Sequence, residues 1–222
     1  MENINIILLT IKIASISTIL VTLFSILSVW LLDDINGKLK NIIELFINLP
    51  LFISPSVMGY ILILILGKRG IIGELLYRYF NITVLFSWWA GIITAFVVSL
   101  PLMYNSLKTG VASLDPVYFE AAREVGASRF QTLKLIVIPL IKKNILAGMV
   151  LSFGRAMGEF GATLMLAGNI PNKTQTISMA IYSASESGDK YTANFLLIII
   201  LIISFVIMMI YNYLFIKERN NI

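Results

Sequence analysis

Apolar residues along this chain come in long, nearly unbroken runs. They do not show the alternation of a half-buried strand or the three-four spacing of a surface helix. Five runs stand out, at about 6–31, 43–66, 84–106, 144–166 and 194–216. A hydrocarbon core of about 30 Å takes roughly 20 residues of helix to cross. The pattern therefore predicts an all-α integral membrane protein with five transmembrane helices. The connections are short except for two, at about 107–143 and 167–193. No internal repeat, low-complexity tract or soluble domain interrupts the pattern, so residues 1–222 read as a single transmembrane domain. The first run is too long for a cleavable signal peptide and lacks both a basic segment before it and a small-x-small site after it.

Composition narrows the class further. Charged residues make up 13% of the chain, against about 25% in soluble domains, and mean hydropathy is +0.89. A surface this poor in charge belongs in lipid. The sequence has no His and no Cys, which removes the commonest general base and metal ligand as well as disulfides and thiol chemistry. Apart from Glu159, the acids fall in loops, tails or run ends, so neither a catalytic set nor a metal site is expected, and a membrane enzyme is disfavoured. The coupling charges and internal repeat of a secondary transporter are not visible either.

The net charge of +5 matters mainly through its placement. Lys38, Lys40, Lys108, Arg123, Arg129, Lys134, Lys142, Lys143, Lys217 and Arg219 fall on one side of the predicted spans; Lys68, Arg69, Arg78, Lys173 and Lys190 fall on the other. The richer side is expected to be cytoplasmic. That places the N-terminus outside and the C-terminus inside. Trp30 then lies near the inner interface and Trp88 and Trp89 near the outer one, as aromatic belts do.

Polar positions inside the runs are the candidates for chemistry. Ser15, Thr18, Thr22 and Ser25 share one face of the first helix, suited to helix packing or to contact with a polar substrate. In the second run, "NLPLFISPSVMGY" carries Pro50 and Pro55. Carbonyls freed by proline survive at membrane depth only where protein or a water-filled cavity meets them. Ser54 and Ser56 beside such a break suit a transporter's binding site, although a simple kink is an equal reading. Pro101 reads the same way with less support. In the fourth run, Arg155 and Glu159 are four apart and can pair. Charges at that depth cost about 2.5–3.5 kcal/mol each on insertion scales, so they suggest a structural pair, a gate element or a substrate contact. Gly154, Gly158 and Gly161 allow close approach of another backbone and bending near 158–161.

The long loop at 107–143 holds a charged segment. Asp115-Pro116 starts a helix and Gly126 stops it, predicting a short helix over about 116–125. Tyr118, Ala121, Ala122 and Val125 share one face; Glu120, Arg123 and Glu124 share the other. Ser128 caps a second helix that runs toward Pro139. The low apolar face suits a groove on another protein, or the membrane surface.

This spacing resembles a known signature. Glu120-Ala121-Ala122, Gly126, Ile136 and Pro139 match the cytoplasmic motif of bacterial ABC importer permeases, with Ile138 in place of the usual Leu. "ISPSVMGYILILILGKRGIIG" and "RAMGEFGATLMLAGNIPNKTQTISMAIY" look like molybdate permeases from about 45 to 215, with Asn172 where Gly is usual. The Gly-Glu-Phe-Gly-Ala core at 158–162 is shared with sulfate/thiosulfate permeases. The resemblance implies a type I ABC importer permease for molybdate or tungstate, with sulfate/thiosulfate and then phosphate as alternatives. It implies a docking region at about 113–139, with Tyr118, Glu120, Ala121, Ala122, Val125 and Gly126 meeting a cytoplasmic ATPase. It also implies a homodimeric ten-helix pore, two ATPase copies and an external binding protein. ATP and Mg would sit on the ATPase, because this chain lacks a phosphate-cradling G-x-x-x-x-G-K-[ST] motif. The lipid bilayer is the other partner, with no nucleic acid. Weak hydroxyl donors, Ser54, Ser56 and the first helix's polar face, are candidates for the translocation path along with Arg155 and Glu159.

Overall fold

A computed structural model describes residues 2–219 other than 34 and 36, with side chains from residue 3 to 213. The tail cations Lys217 and Arg219 lie outside the described side chains. Among the described residues all regular structure is helical. Three helices are long and apolar enough to cross a membrane: α1 (Glu2–Leu32), α5 (Trp88–Ala112) and α12 (Lys190–Arg219). Two bent pairs raise the count to five if each is one span.

The expected second span, 43–66, is not a continuous helix. α2 (Gly37–Asn48) passes through a 3-10 turn at Leu49–Leu51 and meets α3 (Pro55–Leu66) at a bend of 120°. Pro50 lies in that turn, and Pro55 opens α3, where its missing N–H is not needed. Ser54 caps α3 by accepting a hydrogen bond from the Val57 N–H at 3.4 Å. The expected fourth span, 144–166, is also interrupted. α9 (Lys142–Met157) stops at Gly158, and α10 (Gly161–Ala167) starts after Phe160. Upstream, α7 (Arg129–Thr132), a π turn (Leu133–Val137) and α8 (Ile138–Leu140) lead into α9 at a bend of 73°. By contrast, α5 continues through the buried Pro101 without a stop.

α5 is the central post. α1 packs on one side through Ser17, whose hydroxyl donates to the Ile92 carbonyl at 3.0 Å, and through Gly91, which admits Ile13. α9 packs on the other side, with Gly148 against Met103 and the buried Ser152 donating to the Ser99 carbonyl. Small residues allow this closeness, and dispersion rather than water exclusion rewards it in lipid. Val21, Met103, Leu107, Val137 and Ile141 form one core cluster; Ile13, Ala14, Ile92, Ala156 and Ile177 form part of another. α2 is tied to α5 by polar bonds: Tyr104 donates to Glu44 at 2.9 Å, Lys108 pairs with the same carboxylate at 2.6 Å, and Asn105 donates to Asn48 at 2.7 Å.

On the polar face of α1, Thr18, Thr22 and Ser25 are buried and Ser15 is half-buried. Thr18 and Thr22 return their hydroxyl protons to the carbonyls of Ala14 and Thr18 at 2.7 Å. α4 (Ile71–Phe80) and α11 (Ile177–Glu186) are short helices in the connections. α12 has almost no fully buried residue along its apolar length although it packs on α9 and α11, and its exposed side is the surface lipid or a second chain would cover.

Candidate functional site: a helix break and an exposed helix

The break between α9 and α10 gathers the polar residues singled out in the fourth run. Glu159 is buried at 3% exposure, yet both of its oxygens are used. Oε2 accepts from Arg155 Nη1 at 2.7 Å, and Oε1 accepts from the Ala162 N–H at 2.8 Å. The carboxylate therefore satisfies an orphan donor in the first turn of α10 while holding the last turn of α9. This is a structural clasp across the interruption, a role the four-residue spacing alone does not reveal. Arg155 is different: its side chain is 32% exposed, and among the described residues its partner is Glu159. A guanidinium has five N–H donors, so one bond to Glu159 leaves it capacity for a further acceptor.

The break in the second run arrives at the same place. A Cβ on Gly161 would lie 3.1 Å from both Pro55 Cβ and Ser56 Oγ, and one on Gly59 would lie 2.7 Å from Met165 Cβ and 2.9 Å from Ala162 Cα. Thus α3 and α10 cross at glycine contacts, and the first turn of α3, with Ser54 and Ser56 exposed, abuts the joint that Glu159 holds. Of the three glycines expected to admit a neighbour, only Gly161 does so tightly. A Cβ on Gly154 or Gly158 would make only ordinary van der Waals contacts, at 3.5 Å and 3.7 Å.

Sequence reasoning missed two residues that support this joint. Thr94 of α5 and Thr163 of α10 share a 2.7 Å hydroxyl–hydroxyl bond in full burial. Their signal, lone threonines in apolar runs, is too common to single out. Lys12 was also missed: a lysine inside the first run is unusual in itself. Its ammonium lies 4.1 Å from the centroid of Trp88, which stacks on Trp89. A long stem lets the charge reach an interfacial aromatic pair.

The second feature is α6 (Val117–Glu124). Asp115 Oδ1 accepts from the Val117 N–H at 2.9 Å. At the other end Gly126 takes φ +72°, its N–H bonds the Arg123 carbonyl, and the Ala127 N–H bonds the Ala122 carbonyl. That pairing is a Schellman stop, which a left-handed glycine permits. Ser128 and Gln131 then form a capping box. Tyr118, Ala121 and Val125 are exposed, as are Glu120 and Arg123. The expected four-residue face is corrected at Ala122. It is 3% exposed, turned with Phe119 toward its own chain, because the buried stripe of α6 includes it. The outward apolar surface is Val117, Tyr118, Ala121 and Val125.

The described chain is thus a bundle of bent apolar helices around one central post, with a short capped helix, exposed on its outer face, between α5 and α9. Residues 25–219 match the family described as binding-protein-dependent transport system inner membrane component, and the chain belongs to that family. It is 41% identical over 202 residues to the putative molybdenum transport system permease protein YvgM of Bacillus subtilis (strain 168), covering 91% of this chain and 89% of that protein. It is 38% identical over 181 residues to the molybdenum transport system permease protein ModB of Escherichia coli (strain K12), covering 82% and 79%. The sulfate transport system permease protein CysT of Salmonella typhimurium (strain LT2) is more distant, at 29% over 199 residues, covering 90% and 72%. In fold, the chain matches a bacterial ABC transporter involved in the import of the acidic polysaccharide alginate, with TM-score 0.74 and 19% identity, covering 96% of this chain and 78% of that one.

Proposed function

We propose that this chain is the membrane-spanning subunit of an ATP-driven importer of molybdate, with tungstate as an equivalent cargo. The observation that carries the substrate is the likeness to molybdenum permeases along nine-tenths of the chain. Two copies form the pore, and two cytoplasmic ATPase subunits bind ATP and Mg and supply the energy. An external binding protein delivers the anion to the loops at 67–83 and 167–193. The charge bias sets the N-terminus outside and the C-terminus inside.

Coupling runs through α6. Tyr118, Glu120, Ala121 and Val125 meet the ATPase, Gly126 ends the helix so that the chain can turn away, and Ala122 anchors the helix to its own bundle. The anion passes the joint of α3, α9 and α10. Ser54 and Ser56 offer neutral donors there, and Arg155 offers charge-assisted ones. Glu159 keeps Arg155 from binding an oxyanion too tightly, because a translocation path needs a ligand that leaves. Molybdate, tungstate and sulfate are all tetrahedral dianions, so size and oxygen spacing must sort them, mostly in the binding protein.

The test is uptake of labelled molybdate in cells carrying or lacking the permease, with unlabelled tungstate and sulfate as competitors. Loss of molybdate uptake in the deletion, competed by tungstate and not by sulfate, is the expected result. Sulfur auxotrophy of the deletion strain with intact molybdoenzymes would transfer the assignment to sulfate.

A further inference from the structure

At the end of the bundle where α1 and α5 terminate, a cavity of about 530 Å³ opens between α1, α2, α5, α6 and α7. Its lining divides by chemistry. Val29, Leu32, Val111, Phe119, Leu133 and Val137 make the walls apolar, while Lys40, Lys108, Arg123 and Arg129 supply four cations. Against these stand two carboxylates among the described lining residues, Asp33 and Glu44. Both carboxylates have partners. Glu44 is held by Lys108 at 2.6 Å and by the Tyr104 hydroxyl at 2.9 Å. Asp33 lies 3.9 Å from Arg129, whose guanidinium also bonds the Trp30 carbonyl and sits over the Trp30 ring. Lys40 also acts on Glu44 through its charge, and Arg123 adds a further cation to the lining. The indole N–H of Trp30 is buried in the wall with no acceptor among the described residues.

An apolar chamber with a cationic mouth does not suit a small hydrated anion, which would gain nothing from the walls. It suits a molecule with an anionic head and a hydrocarbon body. The position agrees, because the cavity lies where two spans end, and α1 carries exposed Leu27 and Leu31 at its flank. Basic pockets between membrane helices on the cytoplasmic side are where acidic lipid headgroups settle.

We infer that this cavity is a binding site for an anionic phospholipid, with the phosphodiester at Lys40 and Arg123 and the glycerol and upper acyl carbons against Val29, Leu32, Val111 and Phe119. One bound lipid then bridges α2, which leads into the broken helix, and α6, which stands at the coupling end. Its occupancy would stiffen the link between those two elements. The inference rests on the membrane placement of the chain and not on the identity of the transported ion.

The experiment uses the full permease copurified with its ATPase, exchanged into bilayers of phosphatidylcholine with or without phosphatidylglycerol. Retained lipid is counted by native mass spectrometry. The wild type should hold phosphatidylglycerol in preference to phosphatidylcholine, and Lys40→Ala/Arg123→Ala should weaken that retention by about 10- to 30-fold. A control that removes the same charge outside the cavity, Lys134→Ala/Lys142→Ala, should leave it unchanged. Inorganic phosphate at millimolar concentration should not displace the lipid; displacement would mean an ion site and overturn the lipid assignment. Equal lipid retention in both double variants would also overturn it. So would loss of ATPase copurification in Lys40→Ala/Arg123→Ala with lipid retention intact, which would give the cavity to an acidic segment of the partner. Molybdate transport has no part in these readouts, so failure here and failure of the substrate assignment are separable.

Discussion

Glu159 and Arg155 differ in role although four residues of helix put them side by side. Glu159 is buried with both oxygens bonded, and Arg155 is about one third exposed with donors to spare beyond the pair. Removing one partner of a buried pair costs about 3–5 kcal/mol in full burial, and the exposure of Arg155 reduces that here. Glu159→Gln keeps an oxygen for the Ala162 N–H but strands the guanidinium, so it should lower yield and melting temperature more than Arg155→Met/Glu159→Gln. Both should fail in uptake, because Arg155 without its counter-ion holds the anion and Met cannot bind it. A double variant that transports normally would remove Arg155 from the path. At the same scale, Thr94 and Thr163 are unequal partners. Thr94 also bonds the Gly91 carbonyl at 3.0 Å, so Thr163→Val costs about 1 kcal/mol for one bond. Thr94→Val leaves Thr163 buried without its cross-helix partner and should cost more, read as the difference in melting temperature of the purified variants.

At the scale of elements, the contact of α3 with α10 depends on absent side chains. Gly59→Ala forces a Cβ to 2.9 Å from the Ala162 Cα, which backbone cannot yield without moving a helix. Overpacking of this kind costs about 1–3 kcal/mol. A Cβ on Gly158 would meet the Gly154 carbonyl oxygen at 3.7 Å, an ordinary van der Waals contact, so Gly158→Ala should be nearly silent in stability. Comparable melting temperatures for the two variants would refute the close crossing. α6 offers a second contrast. Ala121→Asp projects a carboxylate outward and should abolish ATPase copurification while the permease folds normally. Ala122→Asp buries the charge in its own chain, at a cost on the order of several kcal/mol, and should reduce the folded yield itself. Equal ATPase retention in wild type and Ala121→Asp would take the exposed face of α6 out of the interface.

For the whole molecule, orientation is the property most open to direct test. The sequence contains no cysteine, so single introduced thiols report alone. Ser187 and Ser128 are both exposed, and the proposed orientation puts them on opposite sides of the membrane. Ser187→Cys should react with an impermeant maleimide in intact cells, and Ser128→Cys only after permeabilisation. The reverse pattern would turn the protein over in the membrane and place α6 outside, away from any ATPase.

Much of this molecule was legible in one dimension because lipid imposes a one-dimensional rule: a segment must be apolar for about 20 residues and must satisfy its own backbone. Hydropathy therefore determined the all-helical class, and local chemistry at Asp115-Pro116, Gly126 and Ser128 determined the bounds of α6 to within a residue. Tertiary structure decided what local rules cannot reach. Helix continuity failed at Leu49–Leu51 and at Gly158–Phe160, since a break is stable only when another element receives it, and its receiver lies about a hundred residues away in sequence. Ala122 turned inward because the alanine face of a short helix has no intrinsic preference between its own bundle and a partner. Glu159 became a clasp because its second oxygen found the Ala162 N–H across that break. Those outcomes depend on which surfaces meet, and that is fixed only when the whole chain packs.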